Sequence, residues 1–201
     1  MAVSSSLLIL AIVAAAIVGR SGVSAFKPPW LTGFTAAILV LCLLAQLTRP
    51  ELLYLLERNR SAIQAGQVYR LFTALWFQDG GAVGATFNIT MLAVLGSIAE
   101  QALSRVAWLG IYLIGGLMSE AVALAWQPVG AGNSIGYMSL AGALMGLSMC
   151  RSTSPASMVV AGLGLVAGVV LCLMTDIHGA AIMIGLALLL AGVATARVYE
   201  C

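Results

Sequence analysis

The sequence predicts an all-α polytopic membrane protein, and three observations carry that prediction. Of 201 residues, 62% are hydrophobic and 8% are charged, and the mean hydropathy is +1.07, a balance outside the range of soluble domains. Apolar runs of the ~17–25 residues that a bilayer crossing requires recur along the whole chain. The breaks between them are short, with one exception at about 48–82. A net charge of +2, from nine scattered Lys and Arg, gives no basic arm for nucleic acid.

Seven runs read as helices: 3–19, 31–48, 82–100, 105–126, 133–150, 155–175 and 177–196. The first leads into Val23-Ser24-Ala25, which has the small-residue spacing of a signal cleavage site. No Lys or Arg precedes that run, and Arg20 and Lys27 follow it, which favours a retained helix with its amino end outside. Arg20, Lys27, Arg105, Arg151 and Arg197 then fall on the cytoplasmic side. Arg49, Arg58, Arg60 and Arg70 fall in the external segment 48–82, against the positive-inside trend, among Glu51, Glu57 and Asp79. That segment also holds Tyr69, Leu71, Phe72, Leu75, Trp76 and Phe77, so it is expected to lie in the membrane interface or against the bundle. Cys42, Cys150, Cys172 and Cys201 make no metal spacing and no disulfide framework. Nothing requires a metal or organic cofactor.

Two polar residues lead very apolar helices. Ser134, in Gly132-Asn133-Ser134, opens the fifth run, and His178, the chain's single histidine, opens the seventh. Residues three or four apart share a helix face, so Ser134, Met138, Gly142 and Gly146 form one stripe, and His178, Ala181, Gly185 and Gly192 another. Small-residue faces let membrane helices approach closely, which would bring hydroxyl and imidazole together at equal depth. A serine hydroxyl needs a neighbouring base to act as a nucleophile, and neutral histidine is such a base. The plainer alternatives are a capping serine, an interhelical histidine bond and glycines that only pack. Peptide N–H groups of the first turn at Ser134, at the positive end of its helix, are free to stabilise an oxyanion.

With these residues in view, the chain resembles the rhomboid family of intramembrane serine proteases from about Glu51 to Gly192. Gly66-Gln67-Val68-Tyr69-Arg70-Leu71-Phe72-Thr73 resembles the Trp-Arg motif of the first external loop, with Tyr69 for the tryptophan. Phe87-Asn88, Gly96 and Glu100 resemble the second core helix, and Tyr112-Leu113-Ile114-Gly115-Gly116-Leu117 the third. Gly132-Asn133-Ser134 with Gly142 is similar to the nucleophile helix, and His178 with Gly185 to the sixth. The resemblance implies a six-helix core at 31–201, preceded at 1–30 by an extra transmembrane helix and its turn. It implies cleavage of membrane-protein substrates in or beside their transmembrane segments, reached by lateral opening of the bundle, in a bacterial inner membrane with the site open to the external side. Ser134 would attack, and His178 would act as base and then acid without a third carboxylate. The Asn88 amide would serve the oxyanion hole.

Three positions depart from that pattern. Ile135 follows the nucleophile where glycine is common, with Gly136 one later. Gly84 stands where a histidine usually precedes the asparagine by four, and Asn133 is a candidate substitute donor, or else a cap. Met138 takes the place of an aromatic beneath the histidine, with Tyr137 one position off. Glu120, about six residues from the outer end of its helix, is costly unless hydrated or paired, with His178 or a loop arginine as candidate partners. Asp176 reads as helix-start chemistry. The competing function is a rhomboid-like pseudoprotease, similar to derlins, that binds membrane clients. A small transporter would instead show inverted repeats or interrupted helices, and neither is evident.

Overall fold

The computed structural model describes residues 2–20 and 27–199, with side chains to residue 192. The Val23-Ser24-Ala25 site, the Arg197 side chain and Cys201 lie outside the described residues. Helices α1 (Ala2–Arg20), α2 (Trp30–Thr48), α6 (Gly81–Ala102), α7 (Arg105–Trp126), α8 (Ser134–Arg151), α9 (Pro155–Leu173) and α10 (Ile177–Tyr199) follow the seven apolar runs. Among the described residues, α1, α2, α6, α7 and α9 are long and apolar enough to span a membrane. The chain is a multi-pass integral membrane protein.

Helix α8 is less apolar than these because of where it stands. It packs against α6, α7, α10, α9 and α1, which neighbour one another in that order around it, and α2 packs outside on α6. Thirteen of its eighteen residues are buried. A helix wrapped in protein needs small and polar surfaces rather than a lipid-facing one, so Ser139 and Ser148 are admitted there. The helix α1 fits between α9 and α6 through Ala11, Ala14, Ala15 and Val18, all buried.

Close backbone approach joins α8 to α10, as the small-residue stripes predict. A Cβ on Gly142 would run into the Ile182 carbonyl, and one on Gly185 into the Ser139 carbonyl. At Gly192, the last member of the stripe, an added Cβ would meet nothing within 4 Å, so no such close approach occurs there.

At the end away from Ser134, Glu100 of α6 supplies the cap that α2 lacks. Its carboxylate accepts the Leu31 N–H at 3.0 Å, the Thr32 N–H at 2.9 Å and the Thr32 hydroxyl at 3.0 Å. This satisfies donors orphaned at the start of a helix that opens with Pro29 and has no cap of its own. At the Ser134 end, segment 48–82 is more structured than a loop. It holds α3 (Glu51–Leu56), β1 (Arg58–Asn59), α4 (Arg60–Gln64) and α5 (Arg70–Thr73), and β1 pairs antiparallel with β2 (Val129–Gly130). Of its apolar residues Leu75 and Phe77 are buried on the bundle, whereas Tyr69 and Phe72 stay exposed. Arg70 is buried and organises the segment, its guanidinium donating to the carbonyls of Tyr54 (2.8 Å) and Glu57 (3.1 Å) and to Gln67 Oε1 (2.7 Å).

Candidate active site

Ser134 is the first residue of α8 and His178 the second of α10, and the glycine contacts below them set the separation of their helices. His178 Nε2 lies 3.0 Å from Ser134 Oγ. Both line a cavity of about 130 Å³ at this end of the bundle, walled by Ile135, Ile177, Gly132 and Ala131, with Arg58, Asp79 and Glu120. Ile135 is buried in that wall, where the family pattern has glycine. Gly136 serves packing instead, since a Cβ there would sit 2.6 Å from the Tyr112 ring.

The other imidazole nitrogen also has a partner. His178 Nδ1 is 2.7 Å from Asp176 Oδ1, and the same oxygen accepts the His178 backbone N–H at 3.0 Å. Asp176 therefore does the expected helix-start chemistry and, in addition, contacts the ring, so the absence of a third carboxylate does not hold geometrically. A tight α9–α10 connection places it. Thr175 lies at φ 56°, its N–H reaches the Cys172 carbonyl, and the Asp176 N–H reaches the Leu171 carbonyl. This is a Schellman end with threonine where glycine is usual. Burial raises the Asp176 pKa, but the hydrogen bond and charge of His178 and its backbone N–H outweigh it, leaving the carboxyl below the usual aspartate range.

The amides form a network that spacing does not reveal. Gln46 of α2 donates to the Gln78 carbonyl at 2.7 Å and accepts the Gln78 N–H at 3.0 Å. Gln78 Nε2 donates to Asn133 Oδ1 at 3.0 Å, and Asn88 Nδ2 donates to Gln78 Oε1 at 2.9 Å. The Tyr137 hydroxyl donates to Asn88 Oδ1 at 3.2 Å, so this aromatic turns to α6 and not beneath the histidine. Asn133 makes no side-chain cap for α8, and its Nδ2 is buried with no hydrogen-bond partner among the described residues. Its capping alternative is thereby removed. A Cβ built on Gly132 would stand 3.5 Å from Ser134 Oγ and 3.7 Å from Asn88 Nδ2, so hydroxyl and amide look onto one space. Gly84 has nothing within 4 Å of an added Cβ, so no neighbouring side chain fills the space of the family's histidine there.

Glu120 takes the loop-arginine option. Its Oε2 is paired with Arg58 Nη1, both side chains being almost completely buried, and Arg58 Nε donates to the Gln127 carbonyl at 2.9 Å. Oε1 has no hydrogen-bond partner among the described residues. Asp79 Oδ2 accepts the Ala131 N–H at 3.0 Å, and Gly130, at φ 155°, lets the strand pass, since a Cβ there would lie 2.9 Å from Arg58 Nη2. The external segment is thus fastened to the bundle beside Ser134.

Gln46, Gln78, Arg58 and the ring contact of Asp176 escaped the sequence reading. A polar amide near the end of an apolar span was the available signal for Gln46, and proximity in sequence to the histidine was the signal for Asp176. Nothing local marked Gln78 or singled out Arg58 from the other arginines. Compared with protein-family models, curated proteins and solved structures, the chain matches none.

Proposed function

We propose that this protein is a rhomboid-type intramembrane serine endopeptidase that hydrolyses peptide bonds in or beside transmembrane segments of other membrane proteins. The observation that carries the reading is the 3.0 Å contact between Ser134 Oγ and His178 Nε2, at the heads of two helices locked at backbone distance. In the proposed reaction Ser134 Oγ bonds to the scissile carbonyl carbon while its proton passes to Nε2. The tetrahedral oxyanion is met by first-turn N–H groups of α8, and the Asn88 amide, which faces the same space as Ser134 Oγ, is a side-chain donor for it. Nε2–H then protonates the amine as the C–N bond breaks. Water attacks the acyl-enzyme, gives its proton to Nε2, and the ester C–O bond breaks as Oγ regains the proton.

The site would open to the external face of a bacterial inner membrane, and lipid and substrate helices would be its partners. The test is cleavage of a fluorogenic transmembrane peptide by protein in bilayers, with fluorophosphonate labelling. Wild-type protein is expected to cleave and to label at Ser134, and Ser134→Ala and His178→Ala are expected to do neither. Equal cleavage by all three, or no labelling of wild-type protein, would refute the reading and favour a non-proteolytic client binder.

A further inference from the structure

We propose that Asp176 is a positioning residue for His178, holding the imidazole in the tautomer that carries its proton on Nδ1 and leaves Nε2 free to take the Ser134 proton. The inference rests on the hydrolase reading for its consequence, but its geometry stands by itself. For Nε2 to accept a proton from Oγ, the neutral ring must be protonated at Nδ1, and an acceptor there fixes that choice. Asp176 Oδ1 lies 2.7 Å from Nδ1 while Ser134 Oγ lies 3.0 Å from Nε2, so the three groups form a continuous relay of contacts.

The other charged groups of the cavity are committed elsewhere. Arg58 of β1 pairs with Glu120 of α7, and Asp79, ahead of α6, takes the Ala131 N–H. Asp176 is the carboxylate that contacts the ring. Its own backbone is fixed: a left-handed threonine precedes it, and its N–H is bonded to the Leu171 carbonyl. A non-glycine residue held in that conformation is strained. The turn therefore holds a costly geometry that presents the carboxylate at both the head of α10 and the ring. One oxygen accepting the His178 N–H and facing Nδ1 couples the ring's orientation to the helix start.

The chain has a single histidine, so protein labelled with 15N-histidine in bilayers reports one imidazole. Solid-state NMR of wild-type protein is expected to show protonated Nδ1 and unprotonated Nε2 in the neutral ring. Asp176→Asn moves the proton to Nε2 when its amide turns toward Nδ1, and it then gives up the helix cap, because one oxygen serves both contacts. Fluorophosphonate labelling and kcat are then expected to fall by about 10³- to 10⁴-fold, with KM little changed. Asp176→Ser, which caps but does not reach the ring, is expected to give mixed tautomers and reduced labelling.

A wild-type ring protonated at Nε2 overturns the proposal, as does an Asp176→Ser protein with unchanged tautomer and labelling. If wild-type protein neither labels nor cleaves, the hydrolase reading fails, and the tautomer measurement alone decides the role of Asp176.

Discussion

Replacing Gly185 by alanine tests whether the meeting of α8 and α10 sets the Ser134–His178 distance. A Cβ at Gly185 would lie 2.5 Å from the Ser139 carbonyl carbon and 2.7 Å from its Cα, and closer still to the carbonyl oxygen. Carbon atoms rest at ~3.5–4.0 Å, and the obstruction is backbone that no rotamer change relieves, so α10 must retreat by about 1 Å. The 3.0 Å contact between Ser134 Oγ and His178 Nε2 would open to about 4 Å, beyond hydrogen-bond reach. A misplacement of that size costs about 10²-fold in rate, and the overpacking costs about 1–3 kcal/mol of stability. Cleavage of a transmembrane peptide in bilayers, read beside thermal unfolding, separates the two effects. Gly192→Ala is the control, on the same helical face but with open space around the added Cβ, and it should leave both unchanged. A Gly185→Ala protein that cleaves at the wild-type rate, or a Gly192→Ala protein impaired equally, would refute the reasoning.

Arg58→Ala leaves Glu120 buried without its cation and should cost about 3–5 kcal/mol in chemical or thermal unfolding, whereas Arg58→Met with Glu120→Leu should recover most of it. Asn88→Ala should lower kcat by about 10²- to 10³-fold with little change in KM if its amide meets the oxyanion, and steady-state kinetics on a transmembrane peptide checks it. Thr175→Gly removes the left-handed strain at φ 56° and should raise stability by about 1 kcal/mol, a gain of ~2–4 °C in unfolding temperature, with activity retained. Asp176 ionises below the usual aspartate range in the fold, so its stabilising contribution is complete above the unfolded value of about 3.9 and is lost as pH falls through the lower folded value. Acid unfolding of wild-type protein should therefore show a component below about pH 4 that Asp176→Ser lacks.

Composition and run length determined the membrane class and the course of all seven long helices, because the hydrophobic requirement for a span is local and is met residue by residue. The stripes headed by Ser134 and His178 were also legible, since helical periodicity is fixed and glycine leaves a gap that only close packing fills. Tertiary structure decided the rest. The stripe's close contacts stop short of Gly192, where an added Cβ meets nothing within 4 Å. Which arginine would reach Glu120 depended on a two-residue strand pairing Arg58 with Gly130, a contact between segments far apart in the sequence. The amide chain from Gln46 through Gln78 to Asn88 and Asn133 joins two helices and two connections, and no periodicity in any one of them encodes it. Asp176 carried both roles at once: helix-start chemistry followed from its position in the chain, while contact with the ring required the exact turn that α9 makes before α10. Spacing along a helix tells which face a side chain shares; only the packed bundle sets which group waits opposite it.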